Sequence, residues 1–233
     1  MCQRAGIGKF IYASSASIYY QEPVNNGLQD EKSPVNPKAA YSLSKYLAED
    51  QLLKMVNTSF CPIIFRQGTV FGFSPKMRYD LVVNTMVKDA LATGKITVLC
   101  RGKQWRPLVD VRNVARAYIL ALCAPEEKIR GQIFNLVYKN YQILPLAKIV
   151  KKALEKVTNS NIKIEVDNSD RKDRSYRISG SKIKKVLDWQ PTISVEDSIS
   201  EMVKNIEKWD FKDFTNPRYF NIEWMKLLTS LSP

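Results

Sequence analysis

Residues 38–50 read KAAYSLSKYLAED and carry a tyrosine and a lysine four positions apart, Tyr41 and Lys45. The segment they open, residues 39–56, interleaves Leu43, Leu47, Leu52 and Val56 with lysine and glutamate, the spacing of an amphipathic helix. Residues four apart on a helix share one face, with Cβ atoms about 5–6 Å apart, so the Lys45 ammonium can stand beside the Tyr41 ring. A free phenol titrates near ~10 and is a poor base at neutral pH, but an adjacent cation favours phenolate and makes acid/base work accessible. In a chain with 11 tyrosines such a pair arises easily by chance. The flanking elements decide its meaning.

Upstream, Lys9–Ser15 (KFIYASS) is a short apolar run ending in hydroxyl residues, which suits a buried parallel strand. Residues 21–37 are rich in Pro, Asn and charge and predict a surface loop. Downstream, residues 61–65 predict a strand, followed by the turn-rich GTVFGFSPK. A helix is expected over 81–91, a strand over 96–100, a loop at RGKQWRPL and a helix over 109–123. Then come the strand QIFNLV, a helix over 144–157 and the strand IKIEV inside the polar stretch 158–175. A helix over 194–209 opens on Ser194 and Asp197, a capping-box pattern. Strands alternate with helices, so the class is α/β with a mainly parallel sheet.

Composition limits the function classes. The chain has 233 residues, enough for a substantial core, with 45% hydrophobic and 25% charged residues. Its net charge of +13 favours an anionic partner such as a phosphate or nucleotide. The basic residues are dispersed and no nucleic-acid-binding signature accompanies them, so no nucleic-acid partner is expected. There is no histidine, and Cys2, Cys61, Cys100 and Cys123 have no paired spacing, so neither a metal site nor a disulfide is expected. With no apolar run near the ~20 residues of a membrane span and no signal-like start, no membrane partner and a cytoplasmic location are expected.

KFIYASSASIY, then YSLSK, then RGKQWRPLVDVRNVARA, then DRSYRISGSKI together resemble the extended short-chain dehydrogenase/reductase family, specifically its NAD-dependent nucleotide-sugar epimerases and dehydratases. The resemblance runs from about Arg4 to Trp209. It implies Ser15, Tyr41 and Lys45 as catalytic residues and NAD (or NADP) as cofactor, with Ser14, Tyr41 and Lys45 beside it. A nucleotide-diphosphate sugar is implied as substrate, its phosphates held by Arg106 and Arg174. Ser17, Thr69, Arg78 and Asn84 are expected as further substrate contacts. Thr69 stands where the family usually has Asn. Ala16 and Ser17 occupy the positions of the dehydratases' Asp-Glu pair, so the epimerase or 4-ketoreductase pattern fits better than elimination. A homodimer through the Tyr41/Lys45 helix and the helix after Arg78 is also implied.

A complete family member carries a Gly-x-x-Gly-x-x-Gly loop between a strand and a helix, which cradles the dinucleotide pyrophosphate. This sequence has none; Gly6 and Gly8 precede a strand, which suggests a helix end instead. The expected fold is therefore an incomplete Rossmann-like parallel sheet with helices plus a smaller C-terminal substrate-binding α/β subdomain. Residues 1–95 are expected to hold the Ser/Tyr/Lys site, 96–209 to return to the sheet and form the nucleotide-sugar subdomain, and 210–233 to be a tail. The strand at Lys9–Ser15 is expected to be an exposed edge. Either a catalytic epimerase or reductase, truncated here, or a non-catalytic nucleotide-sugar-binding remnant or partner subunit fits these residues.

Overall fold

The run CPIIFRQ at 61–67 is apolar on both faces until Arg66; it forms the middle strand of a three-stranded parallel sheet, and of that strand's residues only Gln67 escapes full burial. The computed structural model describes residues 2–19, 27–169 and 174–230. Part of the expected loop at 21–37, and Arg171 and Lys172 of the polar stretch at 158–175, lie outside the described residues.

In chain order the elements begin with β1 (Lys9–Ser15), β2 (Leu28–Gln29), α1 (Ala40–Lys54), β3 (Cys61–Gln67), β4 (Thr69–Phe71), α2 (Val82–Thr93) and β5 (Lys95–Val98). They continue with β6 (Trp105–Asp110), α3 (Val111–Cys123), α4 (Glu126–Ile129), β7 (Ile133–Leu136), β8 (Lys139–Gln142) and α5 (Ile143–Thr158). The last are β9 (Lys163–Val166), β10 (Arg177–Ile178), α6 (Ser181–Leu187), α7 (Val195–Lys208) and α8 (Asn221–Ser230).

The chain folds as two compact units. The first takes Met1–Thr69, Gln104–Asn140 and Arg174–Thr192. Its sheet has the order β1-β3-β7, with Lys9↔Cys61 to Ser15↔Gln67 and Ile64↔Ile133 to Gln67↔Leu136 in register. Tyr118 of α3 stacks on Phe65 at 5.2 Å between ring centroids. The register sets Ser14 beside Arg66. Both meet Glu49 of α1: the Arg66 guanidinium donates to its carboxylate at 2.7 and 3.1 Å, and the Ser14 hydroxyl donates to the same group. Arg66 Nη1 also donates to the Tyr19 phenol at 2.8 Å, and Tyr19 donates to Asn135 of β7 at 2.9 Å. One buried polar chain thereby joins both neighbours of β3 to the helix that carries Tyr41 and Lys45.

The second unit takes Val70–Lys103, Tyr141–Asp173 and Ile193–Pro233. There β5 pairs with β9 in parallel, Lys95↔Lys163 to Val98↔Val166. Leu146, Val150 and Leu154 of α5 and Ile199, Met202 and Ile206 of α7 are buried at helical spacing. The capping box at the start of α7 forms as expected, with Asp197 N donating to Ser194 Oγ at 3.1 Å and Ser194 N donating to Asp197 Oδ2 at 3.2 Å.

Three local expectations differ from the structure. Trp105–Asp110, expected as loop and helix start, is strand β6, and α3 begins only at Val111 because Asp110 caps it by accepting from Arg112 N at 2.8 Å. The strand expected over 96–100 stops at Val98, since Cys100 and Arg101 take left-handed φ values of 53° and 56°. Helices α6 and α8 were not anticipated; α8 lies in the expected tail.

Arg66 and Glu49 keep only 5% and 2% of their side-chain surface exposed, so removing one leaves the other charged and dry. Arg66→Met is predicted to lower unfolding free energy by about 3–5 kcal/mol in urea titration; a loss under 1 kcal/mol would contradict the network's role. Burial pushes the Tyr19 phenol up to about 12. Folding thus favours its protonated form, a contribution complete below ~10, where unfolded tyrosines ionise, and lost as pH rises to about 12. Urea stability should fall across that window more steeply in the native protein than in Tyr19→Phe, and equal slopes would refute it.

Candidate active site

The C-terminal end of β1 and the first turns of α1 meet in the first unit. Helix α1 starts without a polar side chain at its cap position; Ser42 substitutes, its Oγ accepting from Ala39 N at 3.2 Å and donating to Ala39 O at 2.9 Å. Lys45 donates to the carbonyl of Ala13 in β1 at 2.8 Å. Its ammonium lies 5.1 Å from the Tyr12 ring centroid and 5.7 Å from that of Tyr41. The Tyr41/Lys45 proximity inferred from the four-residue spacing is therefore present. Tyr41 is 57% exposed, so its phenol is open to a reactant. Ser15, the last residue of β1, accepts from Ser17 N at 3.2 Å and donates to Ser17 Oγ at 3.0 Å.

The remaining expected residues divide by unit. Thr69, Arg106 and Arg174 converge on Tyr176, which the sequence reading passed over. Arg106 lies 5.7 Å over the Tyr176 ring and donates to the carbonyls of Trp105, at 2.9 Å, and Arg174. Burial pushes the Tyr176 phenol up; the Arg106 and Arg174 cations and a hydrogen bond with Thr69 pull it back, and Tyr41 adds to the rise. Tyr41 is thus within electrostatic reach of the same phenol. Its sequence signal is R-S-Y-R at 174–177, an aromatic residue between arginines.

Ser14, expected beside a cofactor, is buried and commits its hydroxyl to Glu49. In the second unit Arg78 forms a two-pronged ion pair with Asp80 at 2.7 and 3.1 Å. Asn84 is buried there and braces Gly72, accepting from its N–H at 3.1 Å where the backbone turns through φ 109°. Among the described residues no three His, Cys, Asp or Glu side chains gather as a metal site, and no helix is long and apolar enough to cross a membrane.

The sequence pattern of the NAD dependent epimerase/dehydratase family matches residues 1–136, more than half of the chain. The chain belongs to that family. It is 28% identical over 209 residues to a putative UDP-glucose 4-epimerase of Methanocaldococcus jannaschii, covering 87% of this chain and 64% of that protein. It is 26% identical to a UDP-glucuronate 4-epimerase of Thermodesulfobacterium geofontis, covering 87% of this chain and 61% of that protein. Among solved structures, the Bacillus cereus UDP-glucuronic acid 4-epimerase in complex with UDP-glucuronic acid and NAD is similar with a TM-score of 0.73 and 24% identity. That match covers 89% of this chain and 64% of the other. RMD from Pseudomonas aeruginosa complexed with NADPH gives a TM-score of 0.72 at 20% identity, covering 89% of this chain and 69% of that one. These likenesses show the parallel-sheet Rossmann-type fold. The chain spans less than two thirds of the length of the two relatives.

Tyr41 and Lys45 set a phenol and an ammonium side by side, the pair of groups that would hold the ribose and nicotinamide of a dinucleotide. The pyrophosphate loop has no counterpart in the sequence: Gly6, at φ 72°, closes the single-turn helix Gln3–Ala5, and a Cβ at Gly6 or Gly8 would meet open space.

Proposed function

We propose that this chain acts in the chemistry of an NAD-dependent nucleotide-sugar epimerase or 4-ketoreductase. The observation that carries the proposal is the Lys45 ammonium, fixed to Ala13 at the end of β1 and lying 5.7 Å from the exposed Tyr41 ring. Tyr41 takes the proton of a sugar hydroxyl, and Lys45 stabilises negative charge as it develops on the phenol oxygen. Ser15, oriented through Ser17, hydrogen-bonds the same sugar oxygen. NAD, when bound, supplies the hydride acceptor and donor for that carbon. Arg106 and Arg174 bind the diphosphate, where planar guanidinium donors match phosphate oxygens, and Thr69 with Tyr176 borders the sugar. Ala16 and Ser17, standing where dehydratases carry an acid and a base, favour epimerisation or reduction over loss of water.

A second reading is favoured by the sheet edge. Among the described residues β1 pairs only with β3, and its Phe10, Ile11 and Tyr12 are half-buried while the equivalent positions of β3 are buried. Nearby, α3 exposes Ile119 (61%) and Leu122 (50%), and Lys9 of β1 donates to the Leu122 carbonyl at 2.7 Å. Such an edge suits a partner subunit that binds the nucleotide sugar while another polypeptide holds the cofactor. The exposed Leu43 and Leu47 of α1 support a homodimer contact through that helix, with α2 as the other proposed element.

Turnover of UDP-glucose or UDP-glucuronate with added NAD, followed by chromatography of the sugar, distinguishes the readings. The catalytic reading predicts product that falls at least 1,000-fold in Tyr41→Phe, and retained turnover in that variant would refute its role. Absent NAD binding by calorimetry together with intact nucleotide-sugar binding selects the partner-subunit reading. Light scattering is predicted to give a dimer that Leu43→Glu/Leu47→Glu converts to monomer; a native monomer would rule out the α1 contact.

A further inference from the structure

Strand β6 and the segment leading into β10 lie side by side, with Tyr176 N donating to Trp105 O at 3.3 Å and Trp105 N donating to Ser175 Oγ at 3.1 Å. Successive residues of an extended chain face opposite sides. The alternation sorts two arginine–aromatic pairs. Arg106 lies over Tyr176 on the side of Tyr41 and Thr69, whereas Arg177 lies 5.1 Å over Trp105 on the other. On that second side a cleft of about 610 Å³ opens within the first unit, lined by Trp105 and Arg177 but by neither Arg106 nor Tyr176.

The cleft has a buried apolar floor of Val137, Ile178 and Trp189. Its polar walls carry Arg177, Lys139 and Lys184 together with the hydroxyls of Ser179 and Ser181, and none of its lining residues is a carboxylate. Ser179 and Ser181 share a hydrogen bond, and Ser181 N donates to Ser179 Oγ at 3.3 Å, so the two hydroxyls are held together. Trp189 is fixed from behind, its indole N–H donating to Asn113 O at 3.1 Å. Gly180 keeps the floor close, since a Cβ there would come within 3.2 Å of Val137. The volume lies within the roughly 300–1,000 Å³ of small-molecule sites, and a few convergent polar groups over an apolar base are the usual make-up of such sites.

We infer that this cleft is a second anion site, taking the phosphate group of a small phosphorylated molecule on the face of β6 opposite the Tyr41 pair. Arg177 supplies a planar donor fork already oriented by its stacking on Trp105, and Lys184 supplies a mobile charge at the rim. Two serine hydroxyls complete the donor set. The site stands independently of the proton-transfer role of Tyr41. Either inorganic phosphate or a phosphorylated sugar presents the chemistry it recognises.

Calorimetric titration at constant ionic strength with inorganic phosphate, glucose 1-phosphate and glucose tests the inference. Saturable binding of the phosphorylated probes, without binding of glucose, is expected. Equal affinity for phosphate and glucose 1-phosphate assigns recognition to the anion alone, and tenfold tighter binding of the ester adds a contact to the sugar; both support the site. Lys184→Glu, at an exposed position, should weaken binding at least tenfold, as should Arg177→Gln. Lys128→Gln, at an exposed position of α4 outside the cleft lining, should leave it within twofold. No saturable binding, equal binding of glucose, an unchanged Lys184→Glu variant, or loss of binding in Lys128→Gln would each overturn the inference.

Discussion

The buried pair of Arg66 and Glu49 is the constraint on which the first unit depends. Two charges so deeply removed from water persist only when their hydrogen bonds are satisfied. Here the satisfaction is shared out: Glu49 accepts from Arg66 and Ser14, while Arg66 also donates to Tyr19, which is held in turn by Asn135. Each partner comes from a different element, so β1, α1, β3 and β7 cannot shift separately without stranding a charge. Glu49 also lies four and eight residues beyond Lys45 and Tyr41, on the same stripe of α1. Anchoring Glu49 therefore sets the rotation of the helix that presents the phenol and ammonium at the end of β1. The stability link and the chemical link run through one helix face.

A second economy lies in the pairing of β6 with the Ser175–Arg177 stretch. Because side chains alternate along extended backbone, four consecutive-pair residues build two different surfaces. Arg106 and Tyr176 face the region of Tyr41 and Thr69; Trp105 and Arg177 face the open cleft. A shift of one residue in that pairing would exchange the two sets and dismantle both. Much of the unassigned positive charge of the chain, +13 in total, is solvated surface, but this ribbon concentrates it where flat aromatic rings hold guanidinium groups in place.

What the sequence disclosed depended on range. Local patterns read correctly: the Tyr41/Lys45 spacing, the apolar run of β3, and the Ser194/Asp197 cap all express interactions within a few residues. Glu49 and Arg66 are 17 positions apart and Tyr19 and Asn135 are 116 apart, so no periodicity announces their network. The β6–α3 boundary was misplaced because Val109, Val111 and Val114 suit either periodicity, and the deciding event is the Asp110 side chain capping Arg112 N. Beyond its flanking arginines Tyr176 carries no local mark, because the groups that act on its phenol come from positions as distant as 41, 69 and 106. The bonds of Arg78 to Asp80 and of Asn84 to Gly72 span 2 and 12 positions, and only the first lies within the reach of a local pattern.

We propose that Arg106, Arg174 and Tyr41 form one site for a nucleotide-diphosphate sugar. Calorimetric titration with UDP-glucose and UDP-glucuronate, compared between the native protein and Arg106→Gln/Arg174→Gln, addresses it directly. Saturable binding of at least one nucleotide sugar, weakened by tenfold or more in the double variant, is the predicted result. Absence of binding to either ligand, or equal affinity in the double variant, would contradict it.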